Sequence, residues 1–369
     1  MTAASPERLR SLTSIRGLLA LWVVLHHYAD DLLRLVPALD PLAFLLHRGG
    51  FAVPGFFMLS GFVLAHTYAA RPDLATRRGA LRFWFARLAR IYPVHFVTLL
   101  AVLALVLAAN RLGRPPNDPS GYSARDFALN LLLVQTWVPD FTLNWNYPAW
   151  SIASEWFAYL LFPFVAVRLR PPARRRRAIA ATTLAVAASA AVYSTPPFPF
   201  RELLCVVPTF AAGLGIYALT HGRPVPRARI IRWIPEFALL AIALGCALDS
   251  AFSGAVITSA LFALILGSVL LRNEVHPWWL ARAPIALGEV SYSLYMTHAV
   301  AQKVLHKLLP TSAYEGADPG TRAAVIAAYC ALIVASCAAS YYLVEKPCRA
   351  WAKRRLAARF PSRTPSDAM

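Results

Sequence analysis

The first apolar stretch of the chain carries ionisable side chains at both ends. Arg16 lies near its start and His27 near its end, and every residue of Gly17–Leu25 between them is apolar. Ionisable groups inside a membrane helix are costly and mark functional sites. A separation of eleven residues returns to the same helix face and places the two side chains roughly 16 Å apart along the axis. The pair predicts an anchor for negative charge and, at another depth, a titratable base.

Two alternatives accompany this prediction. Arg16 also fits a positively charged flank of a membrane helix, and a single histidine in a helix is often a hydrogen-bonded core residue. His26 adds a second imidazole, but it points about 100° away from the face of Arg16. His27 is therefore the preferred base, and substitution of each histidine is the test that separates them.

Two further arginines share a helix face. Arg87 and Arg90 are three residues apart in a basic stretch that leads into an apolar run. Paired guanidinium groups suit bidentate binding of phosphate. The alternative is contact with lipid phosphates at the membrane surface.

Two later apolar segments carry polar groups. Glu155 lies inside one of them and is a candidate catalytic residue, because a carboxylate within a membrane helix marks a functional site. Its alternative role is a structural ion pair with one of the arginines. In the other, Ser291, Tyr295 and His298 are spaced by four and three residues, so they share a helix face. A hydroxyl, a phenol and an imidazole on one buried face predict a polar cavity, or hydrogen bonds between helices. Ser60, Ser291 and Tyr295 are candidate donors to an oxyanion.

The composition indicates a polytopic membrane protein rather than a soluble one. Hydrophobic residues make up 58% of the 369 residues and the mean hydropathy is +0.51, which is too apolar for a soluble domain. The net charge of +19 would suggest nucleic acid for a soluble protein. Here the arginines cluster between apolar spans, as the positive-inside rule describes, so no nucleic acid partner is predicted. No zinc-site spacing or phosphate-binding loop is present, so no metal is predicted.

The hydropathy pattern predicts an all-α bundle of about ten transmembrane helices with both termini in the cytoplasm. Span one covers about Ile15–Val36. Asp126–Val138 is too short to cross a bilayer and is expected to be re-entrant or interfacial. The basic stretch Arg168–Arg177 is placed in the cytoplasm. Residues 1–348 are assigned to the membrane domain and residues 349–369 to a basic, disordered cytoplasmic tail.

Six stretches, in this order, resemble the integral-membrane acyltransferase family 3. They read SIRGLLALWVVLHH, GFFMLSGFVL, FWFARLARIYPVH, PAWSIASEWFAYLLFP, VSYSLYMTH and YYLVEKP. The resemblance covers nearly the whole chain. It implies a bundle of about ten helices in a bacterial inner membrane that moves acyl groups, often acetyl from acetyl-CoA, onto carbohydrates or other hydroxyl acceptors.

The motifs of the family fall on residues already singled out. Its first-helix arginine and histidine fall on Arg16 and His27, and its RxxR motif falls on Arg87 and Arg90. The resemblance adds further site residues, which are Trp150, Ser151 and Glu155 from one motif and Ser291, Tyr292, Tyr295 and His298 from another.

These residues permit acyl transfer from cytoplasmic acyl-CoA. The phosphates of the donor would contact Arg16, Arg87 and Arg90, and the ~16 Å offset along the first helix matches the reach from phosphates to thioester. His27, with an unperturbed pKa near ~6.5, would accept the proton of the acceptor hydroxyl. The alternative is a secondary transporter of a small anion or a proton-coupled solute, because buried Arg, His and Glu fit that class too.

Overall fold

The chain is helical throughout the part that the structure, a computed structural model, describes. This part comprises residues 10–113, 115–116, 118–166, 175–222, 229–271, 275 and 277–359. It contains fifteen α-helices joined by short 3₁₀ turns, and no β-strand occurs among these residues. The helices are α1 (Arg10–His27), α2 (Ala29–Leu35), α3 (Ala43–Leu46), α4 (Ala52–Tyr68), α5 (Arg77–Arg111), α6 (Ala124–Leu131), α7 (Ala149–Ala166), α8 (Arg175–Ser194), α9 (Arg201–Leu204), α10 (Val206–Thr220), α11 (Ile234–Ala247), α12 (Ser253–Leu271), α13 (Arg282–Leu308), α14 (Pro319–Ser340) and α15 (Lys346–Arg359).

Seven helical stretches of the described residues are long and apolar enough to cross a membrane. They are Pro37–Tyr68, Arg77–Arg111, Ala149–Ala166, Arg176–Ser194, Arg201–Thr220, Ser253–Leu271 and Pro319–Arg359. This confirms the predicted all-α polytopic membrane fold. The other three predicted spans correspond to α1, α11 and α13, which form helices but are too short or too polar by the same measure. The count of ten crossings therefore stays a prediction.

The first helix is shorter than predicted. Span one was expected to reach Val36, but α1 ends at His27 and a separate helix, α2, follows after Tyr28. The backbone of Tyr28 leaves the helical region, and its buried hydroxyl donates to the carbonyl of His298 at 2.8 Å. The break therefore ties the end of α1 to α13.

The segment predicted not to cross the membrane is short in the structure as well. Its helix α6 has eight residues and spans only about 12 Å. Two side chains of α5 hold its end, because His95 bonds to the Asn130 carbonyl at 2.8 Å and Tyr92 donates to the Leu131 carbonyl at 3.0 Å. The end of α6 is thus fixed to α5, and the re-entrant or interfacial placement of the segment stays a prediction.

The end of the chain corrects a prediction. Residues 349–369 were expected to be a disordered tail, but α15 continues as a helix to Arg359. Lysine, arginine, alanine and leucine favour helices, and Trp351 packs against Phe85 of α5 with ring centroids 6.1 Å apart. Residues 360–369 lie outside the described part of the chain, as does most of the predicted basic loop Arg168–Arg177.

Helices α1 and α13 touch at the level of their backbones. A Cβ atom added at Gly288 would lie 1.9 Å from the carbonyl oxygen of Thr13, and one added at Gly17 would lie 2.6 Å from the nitrogen of Gly288. Both positions therefore need glycine for steric reasons. This crossing brings Arg16 of α1 against α13, and we call this end of the bundle the Arg16 end and the opposite one the His27 end.

Asp31 joins three elements at the His27 end. The carboxylate of this α2 residue accepts hydrogen bonds from His306 of α13 at 2.9 Å and from Thr311 of the following 3₁₀ turn at 2.7 Å. Burial raises the pKa of Asp31, but the hydrogen bonds from His306 and Thr311 outweigh it and hold the pKa below its usual value. The ionised carboxylate is therefore expected to stabilise the fold.

Replacing Asp31 with asparagine should lower the stability of the protein in a pH-dependent way. Because the pKa is lower in the folded state, the stabilisation is present above the unfolded value of about 3.9 and is lost as the pH falls through the folded value. We expect a loss of about 2 kcal/mol at pH 7, seen as a lower midpoint of thermal unfolding in detergent. The gap should begin to narrow as the pH falls below about 4 and should close below the folded pKa.

The neighbouring carboxylate provides the control for this measurement. Asp30 is exposed, and its Oδ1 lies 3.8 Å from Nε2 of His47. Asp30→Asn should leave the midpoint nearly unchanged at every pH. A constant gap between native protein and Asp31→Asn from pH 7 to pH 3 would contradict the stabilising role of the ionised carboxylate.

Candidate functional site

A cavity lies between α1, α4, α5, α7 and α13. Its volume is about 340 Å³. Nine of the twelve predicted site residues line it, which are Arg16, Ser60, Arg87, Arg90, Ser151, Glu155, Ser291, Tyr292 and Tyr295. The structure thus brings together residues from five helices that are far apart in the sequence.

Arg16 is held in place by α13. Its Nε donates to the carbonyl of Gly288 at 3.1 Å and to the hydroxyl of Ser291 at 2.9 Å, and its Nη2 also donates to the Gly288 carbonyl. Ser291 in turn donates to that carbonyl at 2.8 Å. Within the described residues no carboxylate lies within 4.0 Å of Arg16, so its positive charge stays available to a ligand.

Arg87 and Arg90 reach the cavity from consecutive turns of α5. The guanidinium of Arg87 lies 5.8 Å from the ring centroid of Tyr68, and its buried Nε has no hydrogen-bond partner among the described residues. Neither arginine forms an ion pair within 4.0 Å in that part of the chain. Three guanidinium groups thus face one cavity whose only acidic lining residue, among those described, is Glu155.

Glu155 is bound by a tyrosine that the sequence analysis did not select. The hydroxyl of Tyr159 donates to the Glu155 carboxylate at 2.6 Å and lies 3.2 Å from the hydroxyl of Ser60. Tyr159 also lines the cavity. Its position four residues after Glu155, on the same face of α7, was the signal that could have found it.

The other hydroxyl groups of the cavity cross-link helices. The hydroxyls of Ser151 and Tyr295 lie 2.8 Å apart, and each reaches the carbonyl of Pro148, at 3.1 and 3.2 Å. Tyr292 donates to the carbonyl of Ile91. The α13 hydroxyl groups therefore do both things that the sequence predicted: they line a polar cavity, and they form hydrogen bonds between helices.

His27 lies in a second cluster, outside the cavity. Its ring stacks on that of His298 at 5.2 Å and contacts the ring of Tyr147 at 4.6 Å. His298 is fully buried, and neither of its ring nitrogens has a hydrogen-bond partner among the described residues. Tyr295 connects the two regions, because it lines the cavity and its ring lies 6.0 Å from that of His298.

The two adjacent histidines have different surroundings. A ring nitrogen of His26 bonds to the carbonyl of Leu46 at 3.2 Å, which fixes the chain that precedes α4. His27 makes ring contacts only with aromatic and imidazole side chains. A ring nitrogen of His26 is therefore engaged in a structural hydrogen bond, whereas the contacts described for His27 are between rings.

Two further residues near His27 were not among the predicted site residues. The hydroxyl of Tyr147 donates to the side-chain oxygen of Gln302 at 2.9 Å, and the Gln302 amide donates to the backbone carbonyl of His27. This chain of contacts satisfies a carbonyl at the end of α1 that no later turn of the helix can reach. Both residues are uncharged, so no ionisable group identified them as site residues.

Trp150 is the third predicted residue that does not line the cavity. Its ring packs edge-on against Phe57 of α4 at 6.3 Å.

The histidine, cysteine and acidic side chains of the described residues include no group of three that could hold a metal ion.

A family model and one of the known relatives match nearly the whole chain. A family model described as "Acyltransferase domain" matches residues 9–345. The chain is 29% identical to "Acyltransferase MdmB" of Streptomyces mycarofaciens over 394 aligned residues, which cover 98% of this chain and 97% of that protein. It is 33% identical to "Protein 2 in picA locus" of Rhizobium radiobacter over 165 residues, 42% of this chain and 81% of that protein. No solved structure matches.

Proposed function

Because the chain belongs to the acyltransferase family whose domain spans residues 9–345, we propose that it moves an acyl group from acyl-CoA to a hydroxyl group. Membership of this family favours an acyltransferase over the secondary transporter that the buried charges alone would also fit. The proposal concerns three things: the donor, the acceptor and the roles of the site residues. The observation that supports it most is the meeting of Arg16, Arg87 and Arg90 in one cavity.

The cavity suits the anionic end of acyl-CoA. Three guanidinium groups with no carboxylate within ion-pair distance in the described chain form a site for phosphate oxygens. The carboxylate of Glu155 lines the same cavity as Arg87 and Arg90, so we assign it to the balance of charge in the donor site beside its predicted catalytic role. Ser291 keeps Arg16 in position.

The thioester then lies toward the His27 end. The roughly 16 Å between Arg16 and His27 along α1 is the distance that the pantetheine arm would cover. Tyr295, which lines the cavity and contacts the ring of His298, lies on this path. We propose that the acyl group is acetyl.

His27 is the proposed general base. It takes the proton of the acceptor hydroxyl while the hydroxyl oxygen attacks the thioester carbonyl, and the carbon–sulfur bond breaks as the carbon–oxygen bond forms. The imidazolium then returns its proton to the thiolate of CoA. His26 is the weaker candidate, because its ring is bound to the Leu46 carbonyl.

The orientation follows from the charges at the two ends. We place the Arg16 end and both termini in the cytoplasm, where acyl-CoA is made, and the His27 end toward the outside of a bacterial cytoplasmic (inner) membrane. The acceptor is then a carbohydrate of the cell envelope or a secreted small molecule with a hydroxyl group. No metal enters this mechanism.

Binding of acetyl-CoA tests the donor site. Arg87→Ala and Arg90→Ala should each weaken binding of acetyl-CoA by roughly 10–100-fold, because each removes charge-assisted hydrogen bonds to phosphate. The dissociation constant can be measured by calorimetry on the purified protein in detergent.

Arg82 supplies the matched control on the same helix. It lies 3.8 Å from Asp73 and does not line the cavity. Arg82→Ala should bind acetyl-CoA as the native protein does. Unchanged affinity in both Arg87→Ala and Arg90→Ala would exclude this cavity as the donor site.

A further inference from the structure

The segment of α13 that holds Arg16 also holds a buried acidic residue. Ser293 donates to Oε2 of Glu345 at 2.7 Å, and the hydroxyl of Ser340 donates to Ser293 at 3.2 Å. Glu345 is only 2% exposed. A buried carboxylate needs a positively charged partner as well as hydrogen bonds.

That partner comes from the helix that was expected to be disordered. Arg349 lies one turn after Glu345, and its Nη1 contacts Oε1 of Glu345 at 3.3 Å. The guanidinium side chain is 45% exposed, so it can bind a second anion while it stays paired with Glu345.

A local change of helix geometry orients this pair. Residues Tyr341–Glu345 form one turn of π-helix between α14 and α15, a feature that occurs frequently at functional sites. Across this turn Leu343 is strongly exposed, whereas Glu345 is buried. The wide turn thus directs the Glu345 side chain inward, and Arg349 follows on the same helix face.

Arg349 belongs to the same group of charges as the donor site. Glu345 is bound by Ser293 of α13, which lies two residues after Ser291, the residue that binds Arg16. Tyr292, between these two serines, donates to the carbonyl of Ile91, next to Arg90. Arg349, paired with Glu345, therefore lies near both Arg16 and Arg90.

Packing of α15 on α5 keeps Arg349 at this place. Trp351 contacts Phe85 at 6.1 Å, and Ala352 is buried between the two helices. Arg349 therefore lies on an ordered helix at the Arg16 end, next to the cavity but outside its lining.

We propose that Arg349 is a fourth guanidinium of the donor site and binds a phosphate of acyl-CoA, while Glu345 holds it in position. CoA carries a diphosphate and a separate 3′-phosphate, so its anionic part extends beyond what one group of three arginines contacts. The inference rests on the proposed use of acyl-CoA as donor.

Two donors that differ in their phosphates test this inference. Acetyl-CoA carries phosphates, whereas S-acetylpantetheine carries the same thioester and arm without phosphate or nucleoside. Arg349→Ala should raise the dissociation constant of acetyl-CoA about 10-fold and leave that of S-acetylpantetheine unchanged. Arg349→Lys keeps the charge but loses the planar group, and should give an intermediate value for acetyl-CoA.

Arg355→Ala is the control on the same helix. Arg355 lies over the ring of Trp351 at 5.7 Å, and its removal should not change the affinity for either donor. Thermal unfolding in detergent identifies any variant that is not folded, and Arg349→Lys then decides the question.

Three results would overturn the inference. Unchanged affinity of Arg349→Ala for acetyl-CoA would show that Arg349 binds no phosphate. An equal loss of affinity for both donors would show that Arg349 acts on the fold. Failure of the native protein to bind acetyl-CoA would remove the proposed function, and the inference with it; the first two results leave the proposed function intact.

Discussion

Replacing His27 with alanine is expected to lower the rate of acyl transfer by about 10²–10⁴-fold, the usual contribution of a general base. Acetyl-CoA should still bind, because the guanidinium groups lie in a separate cavity. The measurement is transfer of radiolabel from acetyl-CoA to product in membrane vesicles from cells that produce each variant. The dissociation constant of acetyl-CoA is measured on the same preparations.

His26→Ala is the matched control for this substitution. It removes an adjacent imidazole whose ring is bound to the Leu46 carbonyl, so a loss of stability is expected without a loss of rate comparable to that of His27→Ala. Full activity of His27→Ala would exclude His27 as the base. Loss of transfer in His26→Ala alone would move the assignment to His26.

Replacing Gly288 with valine is expected to prevent normal assembly of the bundle. A single added carbon would lie 1.9 Å from the carbonyl oxygen of Thr13, and a backbone atom of another helix cannot move aside as a side chain can. Overpacking typically costs about 1–3 kcal/mol, and the backbone contact places this case at the upper end or beyond. The hydrogen bonds between Arg16 and Gly288 would be broken as well.

Gly288→Ala gives a graded version of the same experiment. We expect a lower midpoint of thermal unfolding and weaker acetyl-CoA binding for alanine, and little folded protein for valine. Gly316→Ala is the control, because a Cβ atom at Gly316 meets nothing within 4 Å. A native unfolding midpoint for Gly288→Ala would mean that α1 and α13 are further apart than described.

Much of the cavity could be predicted because ionisable residues are rare in apolar helices. Arg16 and Glu155 stood out in sequence for that reason, and the structure places both in one cavity with the predicted pair Arg87 and Arg90. The helical spacing between Ser291 and Tyr295 also predicted a shared buried face. These signals are local, so the sequence alone displays them.

The features that the sequence did not predict depend on contacts between segments that are distant in the sequence. Tyr147 and Gln302 are uncharged, and only the fold brings a loop, α13 and the end of α1 together around His27. The highly charged α15 has the composition of a disordered tail, and packing of Trp351 on Phe85 makes it part of the bundle. Periodicity likewise could not show that His27 and Arg16 would belong to separate clusters.

The contact between Gly17 and Gly288 also governs how the enzyme can move. Two helices whose backbones touch cannot slide along each other, because sliding would drive the Cβ atoms of neighbouring residues into the opposite backbone, so α1 and α13 move as one rigid body. Arg16 and His27 both lie on α1, so the distance between them is set by that one helix. In the proposed reaction, this fixed distance would set the length of the donor that fits between Arg16 and His27, and any opening of the cavity would come from α4, α5 and α7.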